Sequence, residues 1–336
     1  MADSWFTLDV ADQKAVLRTA ATTLGKQSSV LEKDIWLCWV LQVIFTMPDT
    51  HPMAFKGGTS LSKVYGIIDR FSEDVDITLD YRHFQDDFDP FADGTSKSQI
   101  RKFSDRLKAY VTDYANNIVK PCIEQSAQAL GTADQHEITI DETGENIWFS
   151  YPSVVESSDE YLKSHVLIEL GGRNVIDPNE IHNISPELAD FARGLEFPQA
   201  EVTVLSPSRT FWEKATLIHV ECNRGRIQDS PERLSRHWYD ISRLAQHDSG
   251  VKAINDRGLF EDVIRHKKVF FNAGYANYDA CLQGRLRLLP DEDALSGLKA
   301  DYQKMLSAGM MYGSSLTFDE IIDTIRETEE RINRWL

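Results

Sequence analysis

Apolar residues occupy nearly every face of the helical period across residues 30–41, Val-Leu-Glu-Lys-Asp-Ile-Trp-Leu-Cys-Trp-Val-Leu. This predicts a buried helix whose charges are confined to its first turn, where Glu32 and Asp34 suit the helix dipole. The run 35–47 is the most apolar of the chain, yet a bilayer span needs about 20 such residues, so no membrane partner is expected. A break at Pro48 and Pro52 follows, and then Gly57-Gly58-Thr59-Ser60, which reads as a loop entering a helix with a hydroxyl as its cap. Polar and apolar residues alternate over 74–79, the pattern of a half-buried strand. A polar, acidic loop at 81–95 precedes one long helical pattern over 97–129. Strand-like segments follow at 136–140, 146–151 and 165–170, with a shorter one at 202–205. From residue 207 the period is helical almost throughout, most clearly at 208–220, 231–245, 259–271 and 318–335. The expectation is an α+β chain: a mixed sheet flanked by helices over residues 1–205, then a helical domain over 206–336.

At 336 residues and 42% hydrophobic, the chain can bury a sizeable core, which excludes disorder as its main character. Acidic residues outnumber basic ones 53 to 36, a net charge of −17, so indiscriminate binding to nucleic acid or anionic membrane is excluded. Cys38, Cys122, Cys222 and Cys281 are widely spaced with no CxxC pair. They read as reduced thiols rather than a zinc site or disulfide framework. The first residues carry early acids and no apolar core of a signal peptide, so a cytoplasmic location is expected.

The chemistry concentrates in one stretch. Asp74 and Asp76, at i and i+2 on a strand, face the same way about 7 Å apart. Such a pair suits Mg²⁺ or Mn²⁺, hard cations that keep waters which substrate phosphates can replace. Gly57 and Gly58 at a helix start offer backbone N–H groups to a phosphate, and Thr59 or Ser60 can add a hydroxyl. Taken singly, a Gly-Gly-Thr turn is commonly a helix start and Asp-x-Asp a solvated strand edge. Nine acids against two arginines over 69–93 sharpen the case for cations. Glu169, within the apolar strand 165–170, is costly to bury unless paired or metal-bound; a surface-facing Glu169 on an edge strand is the alternative.

The run Lys56-Gly57-Gly58-Thr59-Ser60-Leu61-Ser62-Lys63, followed by Arg70-Phe71-Ser72-Glu73-Asp74-Val75-Asp76-Ile77, resembles the signature of the AbiEii/AbiGii toxin family. That family belongs to the DNA polymerase β-type nucleotidyltransferases. The resemblance extends to Glu32-Lys33-Asp34, to Thr210-Phe211-Trp212-Glu213-Lys214-Ala215 and to Arg236-His237-Trp238-Tyr239-Asp240-Ile241. It implies a nucleotidyltransferase domain with Asp74 and Asp76 as the metal pair and Glu169 as a third carboxylate. Gly57, Gly58, Thr59 and Ser60 would hold the phosphates, Lys214 would contact the nucleotide, and Asp240 would be the fourth-motif acid. It also implies a toxin of a toxin–antitoxin or abortive-infection system, with a cognate antitoxin and a nucleoside triphosphate as donor.

Plainer readings stand beside these. Lys214 could be a surface lysine paired with Glu213, and Asp240 could form an i,i+4 helix pair with Arg236. Twelve Lys or Arg against nine acids over 207–270, including Arg224, Arg226, Arg233 and Arg236, could track RNA or simply be a solvated helix face. The leading expectation is nucleotidyl transfer to an RNA acceptor, with the tRNA 3′ end as the candidate the resemblance offers, and release of pyrophosphate. The alternatives are transfer to a protein or small-molecule hydroxyl, and a nucleotide-binding regulator without turnover.

Overall fold

The alternation at 74–79 becomes a strand at the centre of a seven-stranded mixed sheet. A computed structural model describes residues 3–84, 88–131, 135–155, 164–224, 227, 233–313 and 315–335. Two compact units emerge. One comprises Met1–Val64, Ser72–Phe88 and Arg101–Val204, the other Tyr65–Phe71, Asp89–Ile100 and Leu205–Leu336.

The first unit contains short strand β1 (Asp3–Ser4), helices α1 (Val10–Leu24) and α2 (Ser28–Thr46), strand β2 (Met53–Lys56), helix α3 (Gly57–Lys63) and strand β3 (Asp74–Asp80). Helices α4 (Lys97–Tyr114, in this unit from Arg101 on) and α5 (Lys120–Ala129) precede β4 (Glu137–Ile140), β5 (Asn146–Ser150), β6 (His165–Asn174), β7 (Asn179–Ile184), α6 (Leu188–Phe191), β8 (Leu195–Glu196) and β9 (Ala200–Leu205). The main sheet has the order β4-β5-β6-β3-β2-β9-β7. β3 runs parallel to β6 and antiparallel to β2. One face of these strands, with Phe55, Val75, Ile77, Ile147, Phe149, Ile168 and Leu170, is buried. Trp36 and Trp39 of α2 pack on Phe149 of that face, at 5.8 and 5.0 Å between ring centroids. Gly172 leaves room for α4, since a Cβ there would meet Val111 at 2.3 Å. The strand therefore continues past Gly171-Gly172, where the sequence pattern ended it.

Other local departures have physical reasons. The helical pattern of 97–129 is divided by a π-helical turn at Ala115–Val119, which ends two residues before Pro121, a residue that lacks the N–H that a regular helix uses. Helix α2 begins at Ser28, so Glu32, Lys33 and Asp34 lie beyond its first turn and are buried rather than facing solvent. Strand β2 and strand β7 carry little alternation of their own and escape the sequence reading.

The second unit is helical: α7 (Pro207–Asn223), α8 (Ser235–Gln246), α9 (Asp248–Asn255), α10 (Arg257–Phe270), α11 (Tyr278–Cys281), α12 (Glu292–Ser307) and α13 (Phe318–Trp335). Trp212 of α7 anchors its core, 4.4 Å from the Phe260 ring centroid and donating its indole N–H to the Ala253 carbonyl at 3.1 Å. The expected start of α8 at 231 lies outside the described residues, as does Arg226. The segment Tyr65–Phe71 joins this unit by backbone bonds from Phe71 to Met310 (2.7 Å) and from Tyr312 to Asp69 (2.8 Å).

Candidate active site

In the first unit, strand β2 passes into α3 without a connecting loop. The backbone reverses at Gly57, whose φ is +80°. A Cβ at this position would stand 2.0 Å from the Asp76 carboxylate Oδ2. Glycine is required on both counts: it tolerates the left-handed conformation, and its bare Cα forms the surface against which the Asp76 carboxylate rests. The hydroxyl of Thr59 donates to the Asp74 carbonyl at 2.6 Å, and that of Ser60 donates to the Gly57 carbonyl at 3.0 Å. Both residues are buried, and a buried hydroxyl requires a partner. Neither caps the helix; its cap position is Lys56, with no side-chain cap bond. Thr59 instead ties the glycine turn to the strand that carries both aspartates.

Sheet register then sets the carboxylates. Lys56 pairs with Asp76, Asp76 with Glu169, and Glu169 with Asn146, a polar row across β2, β3, β6 and β5. Alternation places these residues, with Asp74, on the face opposite Val75, Ile77 and Ile168. Asp74 and Asp76 are half-buried and Glu169 is exposed. Glu169 therefore lies on a central strand, not an edge, and its charge faces away from the core. Among the described residues, no three His, Cys, Asp or Glu side chains form a ready-made metal cage. The donor set is nevertheless all hard carboxylate oxygen, which suits a divalent ion, and only the missing Cβ of Gly57 admits the Asp76 carboxylate to its place.

Three buried charges of α2 brace this stretch from behind. Lys33 Nζ pairs with Glu73, the neighbour of Asp74, at 2.5 Å. Asp34 takes Lys63 at the end of α3 at 2.6 Å and the Glu187 backbone N–H at 2.8 Å. Glu32 accepts from the Ser153 hydroxyl and the Val154 N–H, each at 2.6 Å. Burial raises the Glu32 pKa against the lowering effect of those bonds. Consecutive helix residues point in different directions, so one tripeptide fixes three separate segments.

In the second unit, Lys214 lies on α7 among fully buried Phe211, Ala215 and Ile218, and its ammonium meets Asp240 at 2.9 Å. Asp240 is completely buried. Arg70 grips it with a fork, Nε to Oδ1 at 2.7 Å and Nη2 to Oδ2 at 2.8 Å. Burial alone would raise the Asp240 pKa, but the Arg70 and Lys214 charges and their hydrogen bonds hold it far below the usual carboxylate range. The partners expected from sequence are not those observed. Glu213 pairs with Arg209, and Asp240 is held by Arg70 from a distant part of the chain. Beside this cluster, burial and then the Lys214 and Arg236 charges keep His237 neutral near pH 7.

The sequence matches the model of the nucleotidyl transferase AbiEii toxin family, type IV toxin–antitoxin system, over residues 39–324. The chain belongs to this AbiEii family. The resemblance read from its motifs is borne out, and the protein is a nucleotidyltransferase toxin of that type. Among solved structures it is similar to MenT4, nucleotidyltransferase toxin Rv2826c from Mycobacterium tuberculosis H37Rv, at 16% identity and a TM-score of 0.43. That alignment covers 97% of this chain and 98% of the other. No curated protein matches the chain.

Within this AbiEii chain, register and turn geometry bring Gly57, Gly58, Thr59, Ser60, Asp74, Asp76 and Glu169 together in the first unit. Lys214 and Asp240 come together in the second. Arg70 stood at the head of the second motif and was counted among the charges of the acidic stretch, but sequence reading gave it no role. Its signal was position: a lone arginine before Phe-Ser-Glu-Asp, inside the motif itself. No helix of the described residues is long and apolar enough to cross a membrane.

Proposed function

We propose that this AbiEii toxin transfers a nucleotidyl group from a nucleoside triphosphate to the 3′ hydroxyl of tRNA. The observation that carries the reading is the placement of Asp74, Asp76 and Glu169 at adjoining register positions beside the bare Gly57 turn. These carboxylates would hold Mg²⁺ or Mn²⁺, which supplies charge neutralisation for the triphosphate and a lower pKa for the attacking hydroxyl. The acceptor oxygen attacks the α-phosphorus, the bond to the bridging β-phosphate oxygen breaks, and pyrophosphate leaves. The acceptor proton passes to solvent.

The chain's own residues orient the reactants. Backbone N–H groups at the start of α3 bind phosphate oxygens, while the Thr59 hydroxyl acts one step removed by holding the turn on β3 and the Ser60 hydroxyl by closing the turn on the Gly57 carbonyl. In the second unit, the family resemblance assigns Lys214 to the nucleotide, as a point charge. Asp240, with both oxygens occupied by Arg70 and Lys214, serves as a positioning residue. The excess of Lys and Arg over 207–270 favours RNA over a protein acceptor.

The test is incubation of the full chain and total tRNA with each α-labelled nucleoside triphosphate, with Mg²⁺ or with chelator. Chelator-sensitive label on tRNA from one nucleotide, lost in Asp76→Asn without a fall in thermal midpoint, is the expected result. Label appearing on protein or small molecules but not on RNA would overturn the acceptor, and full activity in Asp76→Asn would overturn the carboxylate assignment.

A further inference from the structure

The sheet face that carries Asp74, Asp76 and Glu169 also carries one aromatic ring that the fold does not use. Trp5, Trp36, Trp39, Trp212 and Trp238 are each no more than 4% exposed. Each packs on another ring or donates its indole N–H to a carbonyl. Trp148 of β5 is half-buried, and among the described residues no ring stacks on it and no acceptor takes its indole N–H. Alternation turns it away from Phe149, which packs on α2, and onto the face of the three carboxylates. Trp148 pairs with Leu167, and Leu167 with Asp74, one row along the strands from Asn146, Glu169 and Asp76. Two strand spacings, about 10 Å, separate the backbones of Trp148 and Asp74. Around the ring, Thr139, its partner on β4, and Glu169 are exposed, and Leu167 is half-buried.

We propose that Trp148, with Leu167 beside it, is the platform on which the 3′-terminal base of the acceptor RNA stacks. Across the sheet the order is the glycine turn after β2, the aspartates of β3, Glu169 on β6 and Trp148 on β5. In an in-line displacement the attacking hydroxyl enters opposite the leaving pyrophosphate. With the triphosphate at the glycine turn, the hydroxyl arrives from the side of β6 and β5, where the ring stands. The ribose of a terminal nucleoside joins its base to its 3′ hydroxyl, so a base held on Trp148 directs that hydroxyl toward Asp74 and Glu169. The exposed charges nearest the ring on this face, Glu137 and Glu169, repel a phosphate and leave the flat face of a neutral base as the matching ligand. Stacking takes any base, so the ring positions the acceptor end without reading its sequence. The inference rests on the reading of RNA as the acceptor, but the platform is defined by its place in the sheet.

The test uses an RNA hairpin whose unpaired 3′ end terminates in 2-aminopurine, a fluorescent base that stacking quenches. It is titrated with the full chain in Mg²⁺, without nucleoside triphosphate. Saturable quenching by the wild type is expected. Trp148→Leu keeps apolar volume but removes the ring; its affinity should fall about tenfold or more, with the quenching at saturation lost. Trp148→Phe should recover part of both. Ile181→Ala, exposed on β7 of the same sheet, should match the wild type, and an unchanged thermal midpoint checks the fold of each variant. No quenching by the wild type, or equal quenching and affinity in Trp148→Leu, overturns the platform. A raised KM for nucleoside triphosphate in Trp148→Leu, with the KM for tRNA unchanged, also overturns it and moves the ring to the donor base. Quenching that depends on Trp148, in a chain that labels no tRNA, would sustain the platform and remove the transfer reading. Label on tRNA with neither KM altered in Trp148→Leu would do the reverse.

Discussion

The two units use carboxylates in opposite settings. Asp74 and Asp76, half-buried, and Glu169, exposed, stand on one face of the first unit's sheet, placed by strand register, with the Asp76 carboxylate resting against Gly57. Asp240 in the second unit is sealed from solvent, with both oxygens occupied by two cations. An open carboxylate can serve as a ligand, and removing its charge costs the fold little. A sealed one acts through the cations it orders, and its removal takes a counter-charge from both of them. Exposure, more than residue type, separates chemistry from support.

Asp240→Ala should test this most severely. Stranding Arg70 and Lys214 is expected to cost about 3–5 kcal/mol, read as a lowered urea midpoint. The pH dependence has a definite sign. The Asp240 carboxyl is held far below its ordinary value of 3.8, so its stabilisation is present above about pH 4 and is lost as pH falls further. Acid unfolding of the Asp240→Asn variant should lack that contribution; an identical acid profile in wild type and variant would contradict the assignment.

Lys33→Met should come next, at about 3 kcal/mol, because it takes the Lys33 counter-charge from the buried Glu73 carboxylate. Lys33→Met/Glu73→Leu should recover most of that loss, and a double-mutant cycle measures the coupling. Additive effects would show that the pair is not a unit.

Gly57→Ala separates stability from chemistry. Forcing an alanine to φ +80° is expected to cost about 1–3 kcal/mol. Transfer should fall by a larger factor, on the order of 100-fold, because the added methyl displaces Asp76. A variant that loses stability but keeps its rate would break the link between turn and carboxylate. The exposed pair Arg257–Glu261 gives the lower limit: Glu261→Ala should shift stability by less than about 0.5 kcal/mol.

Much of this was legible from residue order. The buried helix α2, the strand at 74–80 and the helical second half follow from periodicity alone, and the ordered motifs identified the family. Strand β2 was not legible, because four residues between a proline and a glycine turn carry too short a pattern. Nor was the role of Glu32, Lys33 and Asp34, which read as charges suited to a helix terminus. Their partners, Ser153, Glu73, Lys63 and the Glu187 backbone, lie between 29 and 153 residues away.

The sequence by itself determined which residue types stand at which local spacing: two aspartates on one face of a strand, two glycines at a turn, a lysine on an amphipathic helix. Those are consequences of backbone period and side-chain size, and they act over a few residues. Only the tertiary structure decided that Glu169 lies in register with Asp76, that the Asp76 carboxylate rests on Gly57, and that Arg70 rather than Arg236 holds Asp240. Strand register and burial are set by the packing of the whole unit, and a charge removed from water takes whichever partner that packing brings within reach.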